Sequence, residues 1–465
     1  MSQVPFCAAP WQAGDGPAIL AGNARWGYAR LQEAATGRAA LLRAQGLSPG
    51  QLVLVATNPP LELVLMQHTL ARCDAALLPV PADLGDGRRA RLIALTGAEW
   101  VWSPGTPGRL VQLPAGAHSQ GPVPWATDPL ALVIETSGSG GAPKAVMLTQ
   151  GNVLASCTEV NARLGLAPGD LWLCCLPRHH VGGLVIAYRC ALAGATVLLH
   201  AGFDATAVAS DLARRRATHI SLVPPMLARL LDLGIPPPPS LRVALIGGQA
   251  LSTALAHRAL DAGWPLRLTF GMTETCSQVA TSGALGQIRD PRVVGAPLPG
   301  LTLDCPGCDD PPRTLRVRGA LVMAGYANPS RTPGLGLNRG WLTTADLVCR
   351  TATGELRVLG RADEALVIGG EQVFPTVVAD RLTGAPGVDA AVVVGVPDPV
   401  WGHRLIGVYA GTVDPADLAH WCRVHLAGPE RPQVLRRLDA LPLLPSGKHD
   451  LRRIRGLVRP SGHLA

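Results

Sequence analysis

Only two lysines occur in this chain of 465 residues, Lys144 and Lys448, although lysine and arginine together number 41. A general preference for arginine explains the scarcity but not which two remain. Both lie in short glycine-containing segments, where a compact ammonium is hard to replace by a planar guanidinium. Lys144 closes the run Glu135, Thr136, Ser137, Gly138, Ser139, Gly140, Gly141, Ala142, Pro143, Lys144. Glycines there let the backbone approach an anion, amides and hydroxyls donate to phosphate oxygens, and the lysine adds a mobile charge, which implies a polyphosphate ligand. Over this run alone a flexible serine and glycine connector has the same composition. A Walker-type P-loop is a poor fit, because Pro143 precedes the lysine and Ala145 follows it where glycine and Ser or Thr are needed.

These groups need elements to hold them. Strand-length apolar runs alternate with helical stretches from about Gln51 to Leu268, among them Leu130 to Ile134, Asn152 to Leu164, Leu171 to Leu176 and Leu241 to Ile246, which argues for α/β layers. The phosphate-binding run is expected to join a strand to a helix. Pro236 to Pro239 reads as a stiff connector between a helix and a strand. From Gly283 to Val358 short β-rich runs take over and suggest a β subdomain. A last unit from about Ala362 opens with two β-like runs, Ala365 to Ile368 and Ala390 to Val394, separated by a helix.

Composition narrows the class of function. With 48% hydrophobic and 16% charged residues the chain can bury several cores, so a globular enzyme is expected. Arg189 interrupts its most apolar stretch, Gly182 to Leu199, and the N-terminus lacks a basic then apolar leader. A cytoplasmic protein with no membrane insertion is therefore expected. The net charge of +8 is spread along the chain rather than gathered for nucleic acid. The 11 scattered cysteines fit reduced thiols, and the single C-x-x-C at Cys305 and Cys308 reads as a surface turn.

The run ending at Lys144 resembles the phosphate loop of the acyl-CoA synthetase, adenylation-domain and luciferase superfamily, with Gly140 in place of a hydroxyl residue and Ala145 in place of glycine. Further motifs follow in the superfamily's order. Phe270, Gly271, Met272, Thr273, Glu274 resembles the motif whose aromatic residue stacks on adenine, whose threonine contacts the α-phosphate and whose glutamate holds Mg²⁺. A carboxylate beside phosphates also makes physical sense only with a cation between them. Gly247, Gly248 and Gln249 resemble the adenine-binding turn. Thr344, Ala345, Asp346 resembles the ribose-binding T-G-D, with alanine for glycine. Gly360, Arg361, Ala362, Asp363 resembles the junction between domains, Gly369, Gly370, Glu371 the thiol-side loop, and Pro445 to Lys448 the terminal motif whose lysine enters the site during adenylation.

The resemblance implies an N-terminal AMP-binding domain, 1–360, of α/β subdomains plus a β subdomain, and a mobile α+β C-terminal lid, 361–465, turning at Asp363. It implies ATP, Mg²⁺ and a small carboxylic acid as ligands. It also implies phosphate-loop contacts from Thr136, Ser137, Gly138, Ser139 and Gly141, with Lys144, Lys448, Thr273 and His180 catalytic. Coenzyme A is the expected thiol, because the chain ends soon after Lys448 without a carrier domain. A homo-oligomer is compatible with the sequence. Met272 to Gln278, with His180 to Leu184, is similar to the o-succinylbenzoate-CoA ligase family of menaquinone biosynthesis. That acid carries a second carboxylate, and Arg178 or His179 could pair with it, with Ser277 and Gln278 as neutral alternatives. Two other classes stay open: an adenylating enzyme that serves a separate carrier protein, and a nucleotide-binding protein that has lost catalysis.

Overall fold

The computed structural model describes residues 16–103, 108–113, 125, 127–136, 143–444 and 448–458. Two large sheets form the N-terminal part. The seven-stranded one is centred on the parallel strands Leu52–Ala56 and Ala76–Val80, whose apolar runs are buried on both faces, as parallel strands covered by helices must be. The fourteen-stranded one contains a run of parallel strands, including Leu171–Cys174, His219–Leu222, Val243–Ile246 and Leu266–Phe270. It then continues through antiparallel strands into the β-rich stretch. The α/β alternation and the β subdomain are thus as the sequence indicates, and Pro236 to Pro239 does join the helix Pro224–Asp232 to the strand Val243–Ile246.

A smaller unit follows, with the hairpin Leu366–Ile368 and Glu371–Val373, the helix Pro375–Thr383, and a three-stranded sheet of Val388–Asp398, Gly402–Gly411 and Val434–Leu438. It has its own core, in which Val378, Leu382, Leu405 and Leu418 are fully buried. The Asp380 carboxylate accepts from the Thr253 backbone N–H at 2.8 Å, at the start of the helix Thr253–Asp261, and so fastens the small unit to the large one. Among the described residues no helix is long and apolar enough to cross a membrane.

Two expectations need correction. The phosphate-binding run leads not into a helix but into a strand, Lys144–Thr149, which pairs antiparallel with Leu130–Thr136 so that Thr136 faces Lys144. The buried Ala145 to Leu148 side chains complete that sheet, and the helix starts only at Gln150. Its start is fixed by a reciprocal cap: Thr149 Oγ1 accepts from the Asn152 N–H at 3.1 Å, and Asn152 Oδ1 accepts from the Thr149 N–H at 3.0 Å. The second correction concerns cysteine. Cys308 is not a free thiol in a surface turn but is bonded to Cys349, their Cα atoms 4.8 Å apart. The loop after the strand Leu301–Asp304 returns alongside the end of Trp341–Arg350, where the Cys308 N–H donates to the Arg350 carbonyl. Linear spacing does not reveal that return. Eight described cysteines remain free, and seven of them are buried, as expected of core thiols.

Candidate active site

Strand ends and the loops after them converge on one cleft. The strand Lys144–Thr149 begins at the mouth with Lys144, whose Nζ stands 4.7 Å above the Tyr326 ring. The short strand Gly325–Tyr326 pairs with Val146 and Met147, and this pairing places that ring. Tyr326 donates its hydroxyl to Glu274 Oε1 at 2.9 Å. Burial and the Glu274 carboxylate both push the Tyr326 phenol up, so it remains a donor. Lys144, Tyr326 and Glu274 therefore form a connected group. The sequence alone gives Tyr326 no role.

Glu274 lies in a turn, Thr273–Thr275, after the strand Leu266–Phe270. The Met323 N–H donates to the Glu274 carbonyl at 2.8 Å and anchors the turn. The loop then doubles back. A Cβ on Gly271 would lie 1.6 Å from the Ser277 carbonyl oxygen, so only glycine fits there. Cys276 and Ser277 take left-handed backbone conformations, with φ of 49° and 104°. Such conformations cost energy in non-glycine residues and tend to persist where function holds them. Phe270 is half-buried against Val279 and Val294.

Asp346 lies on the strand Trp341–Arg350, directly across from Arg361, with Arg361 Nη1 3.8 Å from Asp346 Oδ1. Burial raises the Asp346 pKa, and the Arg361 cation opposes that rise. Arg361 also makes a two-point contact with Asp363, at 2.9 and 2.8 Å, so the junction motif is internally braced.

Lys448 arrives from the small unit. The position a Cβ would take on Gly248 lies 3.6 Å from Lys448 Cε and 4.0 Å from its Nζ. Gly248, at φ 78°, and Gly247, packed on Thr269, form the turn after Val243–Ile246. Gln249 follows them, half-buried. Enclosure by protein lowers the Lys448 pKa. His180 precedes the helix Val181–Ala193, and its ring is 4.3 Å from that of His179. The His180 ring is open to the cleft but closely walled by protein. That enclosure, with His179, Lys448 and Arg88 adding positive charge, pushes its pKa down to about 4. Neutral His180 can accept or donate a hydrogen bond without adding a cation beside the ammonium. His179 is shifted down as well, by burial first and then by Arg88, with Asp83 and Glu135 opposing. Arg88 holds Glu135 by two hydrogen bonds, of 3.2 and 2.7 Å, at the end of the strand that enters the phosphate run.

The structure thus gathers Lys144, Glu274 and Thr273 with Tyr326, brings Lys448 to Gly248 and His180, and sets Asp346 beside Arg361. Ser137, Gly138, Ser139 and Gly141 lie outside the described residues. The Gly369 and Gly370 hairpin packs on Trp401 of its own unit, with the Gly369 N–H donating to the Trp401 carbonyl at 3.1 Å, and Glu371 is exposed. The terminal lysine, not this hairpin, stands at the Gly248 turn.

Arg178 needs a different reading. Its side chain is buried, donating to the His200 carbonyl at 2.6 Å and, at 3.4 Å, to Asn58 Oδ1 and the Ala201 carbonyl. With two backbone carbonyls and the Asn58 side chain as acceptors and only its Nε without a partner, this guanidinium is a brace rather than an acid-binding group. Arg189, which the sequence reading treated only as a break in an apolar run, is the stronger candidate. It is fully buried, 5.7 Å from the Trp172 ring, and donates to Ser277 Oγ at 2.8 Å. The titratable groups that act on it are the thiols of Cys157, Cys276 and Cys190, which burial keeps protonated and uncharged, and its Nε has no partner. Among the described residues no carboxylate pairs with it. A buried cation without a counter-ion is costly, which would have flagged it had its burial been known from sequence. Gln278 is also buried, with Nε2 free to donate.

The comparisons decide the family. A family model described as AMP-binding enzyme matches residues 8–327, and one for the AMP-binding enzyme C-terminal domain matches residues 378–448. The chain belongs to the AMP-binding enzyme family. A 2-succinylbenzoate–CoA ligase of Bacillus cereus is 36% identical over 335 residues, covering 70% of each chain. A feruloyl-CoA synthase of an Amycolatopsis species is 31% identical over 479 aligned positions, covering 93% of this chain and 94% of that one. Among solved structures, the o-succinylbenzoate coenzyme A synthetase of Bacillus subtilis in complex with AMP is 25% identical with a TM-score of 0.83, covering 99% of this chain and 100% of the other. The adenylate-forming fold and an AMP-forming acid–thiol ligase, both expected from the motifs, stand confirmed.

Proposed function

We propose that the protein activates an aromatic acid with a second carboxylate, o-succinylbenzoate in particular, as acyl-AMP and transfers the acyl group to coenzyme A. The observation that carries the choice of acid is Arg189, a buried guanidinium that lacks a counter-ion and reaches the half-buried Ser277 of the cleft loop. A ligand carboxylate would supply the missing charge. Gln278 Nε2 offers a further donor. The succinylbenzoate relative supports this choice, whereas the feruloyl relative shows that the family also takes acids without a second carboxylate.

The chemistry follows from charge. The acid's carboxylate oxygen attacks the α-phosphorus of ATP, a P–O bond forms, the bridge to the β-phosphate breaks, and pyrophosphate leaves. Attacking anion and triphosphate repel each other, so cations must screen them and hold the attack in line. Lys144 and the phosphate run supply this on the β/γ side and Lys448 supplies it around the reacting carboxylate, where Thr273 and neutral His180 orient the reacting groups by hydrogen bonds. Phe270, Gly247, Gly248 and Gln249 hold the adenine, and Asp346 with Arg361 holds the ribose. Glu274 fits Mg²⁺: one of its oxygens is tied to Tyr326 and the other is left for the ion. Mg²⁺ is typically bound by one or two carboxylates with phosphates and water rather than by a protein cage, and among the described residues no group of three ligating side chains occurs. When bound, the ion neutralises phosphate charge.

For the second half-reaction the lid, residues 361–465, turns at Asp363, withdrawing Lys448 and bringing Gly369, Gly370 and Glu371 to the acyl-AMP. The thiol of coenzyme A then attacks the acyl carbon and AMP leaves. A panel of acids, assayed for AMP formation with and without coenzyme A, tests the proposal. The expected result is a kcat/KM for o-succinylbenzoate about 10²-fold or more above those for ferulate and benzoate, a preference of the size set by satisfying a buried charge. Equal or higher kcat/KM for ferulate would overturn the assignment, and acid-dependent exchange with coenzyme A inert as acceptor would favour a carrier protein as thiol.

A further inference from the structure

The β subdomain carries a second concentration of cationic groups that the proposed chemistry does not use. Along the strand Arg313–Gly319, Leu315 and Val317 are fully buried, so the alternation of a strand turns Arg316 and Arg318 to the opposite face. The neighbouring strand brings Thr343 opposite Arg316 and Leu342 opposite Val317, which sets Trp341 beside Arg318. The Trp341 ring has the Arg316 Cζ at 5.0 Å and the Arg318 Cζ at 4.9 Å from its centroid. A hairpin from Leu337–Asn338 into Trp341 turns through Arg339 and Gly340, both left-handed, at φ 51° and 77°. The first position of such a turn favours Asn, Asp or Gly, yet arginine occupies it and its guanidinium joins the other two.

Arg316, Arg318, Asn338, Arg339 and Trp341 line an open cavity of about 400 Å³. Among the described residues one carboxylate makes an ion pair with this group, Asp304, 2.9 Å from Arg316 Nη1. Two guanidinium charges are left over. Trp341 is already stacked by guanidiniums, which leaves little room for a base, and arginine forks match phosphate oxygens in pairs. Trp341 precedes Asp346 by five residues, about 17 Å along an extended strand, and no residue of the nucleotide cleft lines the cavity. We propose that this cavity is a second, non-catalytic binding site for an oligophosphate anion, free pyrophosphate or the phosphate tail of a nucleotide.

Calorimetric titration of pyrophosphate into the full chain tests this, with AMP present and Lys144→Ala as the background to weaken binding in the cleft. One equivalent is expected to bind, and adding Arg318→Ala with Arg339→Gly is expected to weaken it at least about tenfold, the loss of two charge-assisted contacts. Arg339→Gly suits the positive φ, so its melting temperature should not fall, and loss of binding in that single variant cannot come from misfolding. A non-hydrolysable ATP analogue titrated into the wild type separates the sources. Two equivalents there and one in the arginine variant assign the nucleotide tail, and one in both assigns pyrophosphate. Pyrophosphate affinity unchanged by the arginine substitutions, or absent already in the Lys144→Ala background, would overturn the proposal.

Discussion

Replacing Lys448 by alanine is expected to slow acyl-AMP formation by about 10²- to 10³-fold, the usual effect of deleting one preorganised donor at a centre of developing charge. Transfer from pre-formed acyl-AMP to coenzyme A should stay within about threefold of wild type. The asymmetry follows from geometry: Lys448 stands at the Gly248 turn beside His180, while the Gly369 hairpin packs on Trp401 of its own unit. This arrangement suits the first half-reaction, and the second needs the lid to turn. Lys448→Arg should recover little of the lost rate, since a planar fork does not place one compact charge where the ammonium stands. Single-turnover assays of the two half-reactions check the split, and equal losses in both would argue against a lysine that leaves the site.

Arg189→Met should separate stability from acid recognition. The apo protein is expected to keep or raise its melting temperature, because the substitution removes a buried charge that no carboxylate among the described residues offsets. The same change should cost about 2–5 kcal/mol in transition-state binding of o-succinylbenzoate, read as a fall in kcat/KM, the range for truncating one partner of a buried charge pair. Against an aromatic monocarboxylate the effect should be under about threefold. Thermal unfolding with steady-state kinetics on both acids checks it. A lower melting temperature with equal losses on both acids would make Arg189 a structural brace, as Arg178 is.

The sequence made the site legible where the chemistry restricts residue type within a short span. Lys144, Glu274, Asp346 and Lys448 could be picked out because each stands in a short motif with glycine or a small residue at its side, which leaves the charged group conspicuous. Gly271 is of the same kind, since its loop closes on Ser277. What could not be read depends on burial or on distant pairing. Arg178 and Arg189 look alike in sequence, yet one is held by carbonyls and the other points at Ser277. Lys144 opens a strand rather than a helix because Ala145 to Leu148 complete the sheet beside Leu130–Thr136, a tertiary demand that a glycine-rich loop does not announce. Cys308 finds Cys349 rather than its near neighbour Cys305 because a returning loop meets a strand end.

At the centre lies the formation of a bond between the acid's own oxygen and the α-phosphorus of ATP, in the cleft between Lys144 and Lys448. Supplying o-succinylbenzoate labelled with ¹⁸O in its carboxylates and weighing the products by mass spectrometry follows that oxygen directly. One label atom in each AMP, with pyrophosphate unlabelled, is the expected result. Label in a phosphate product, or AMP that carries none after acyl-CoA has formed, would contradict it.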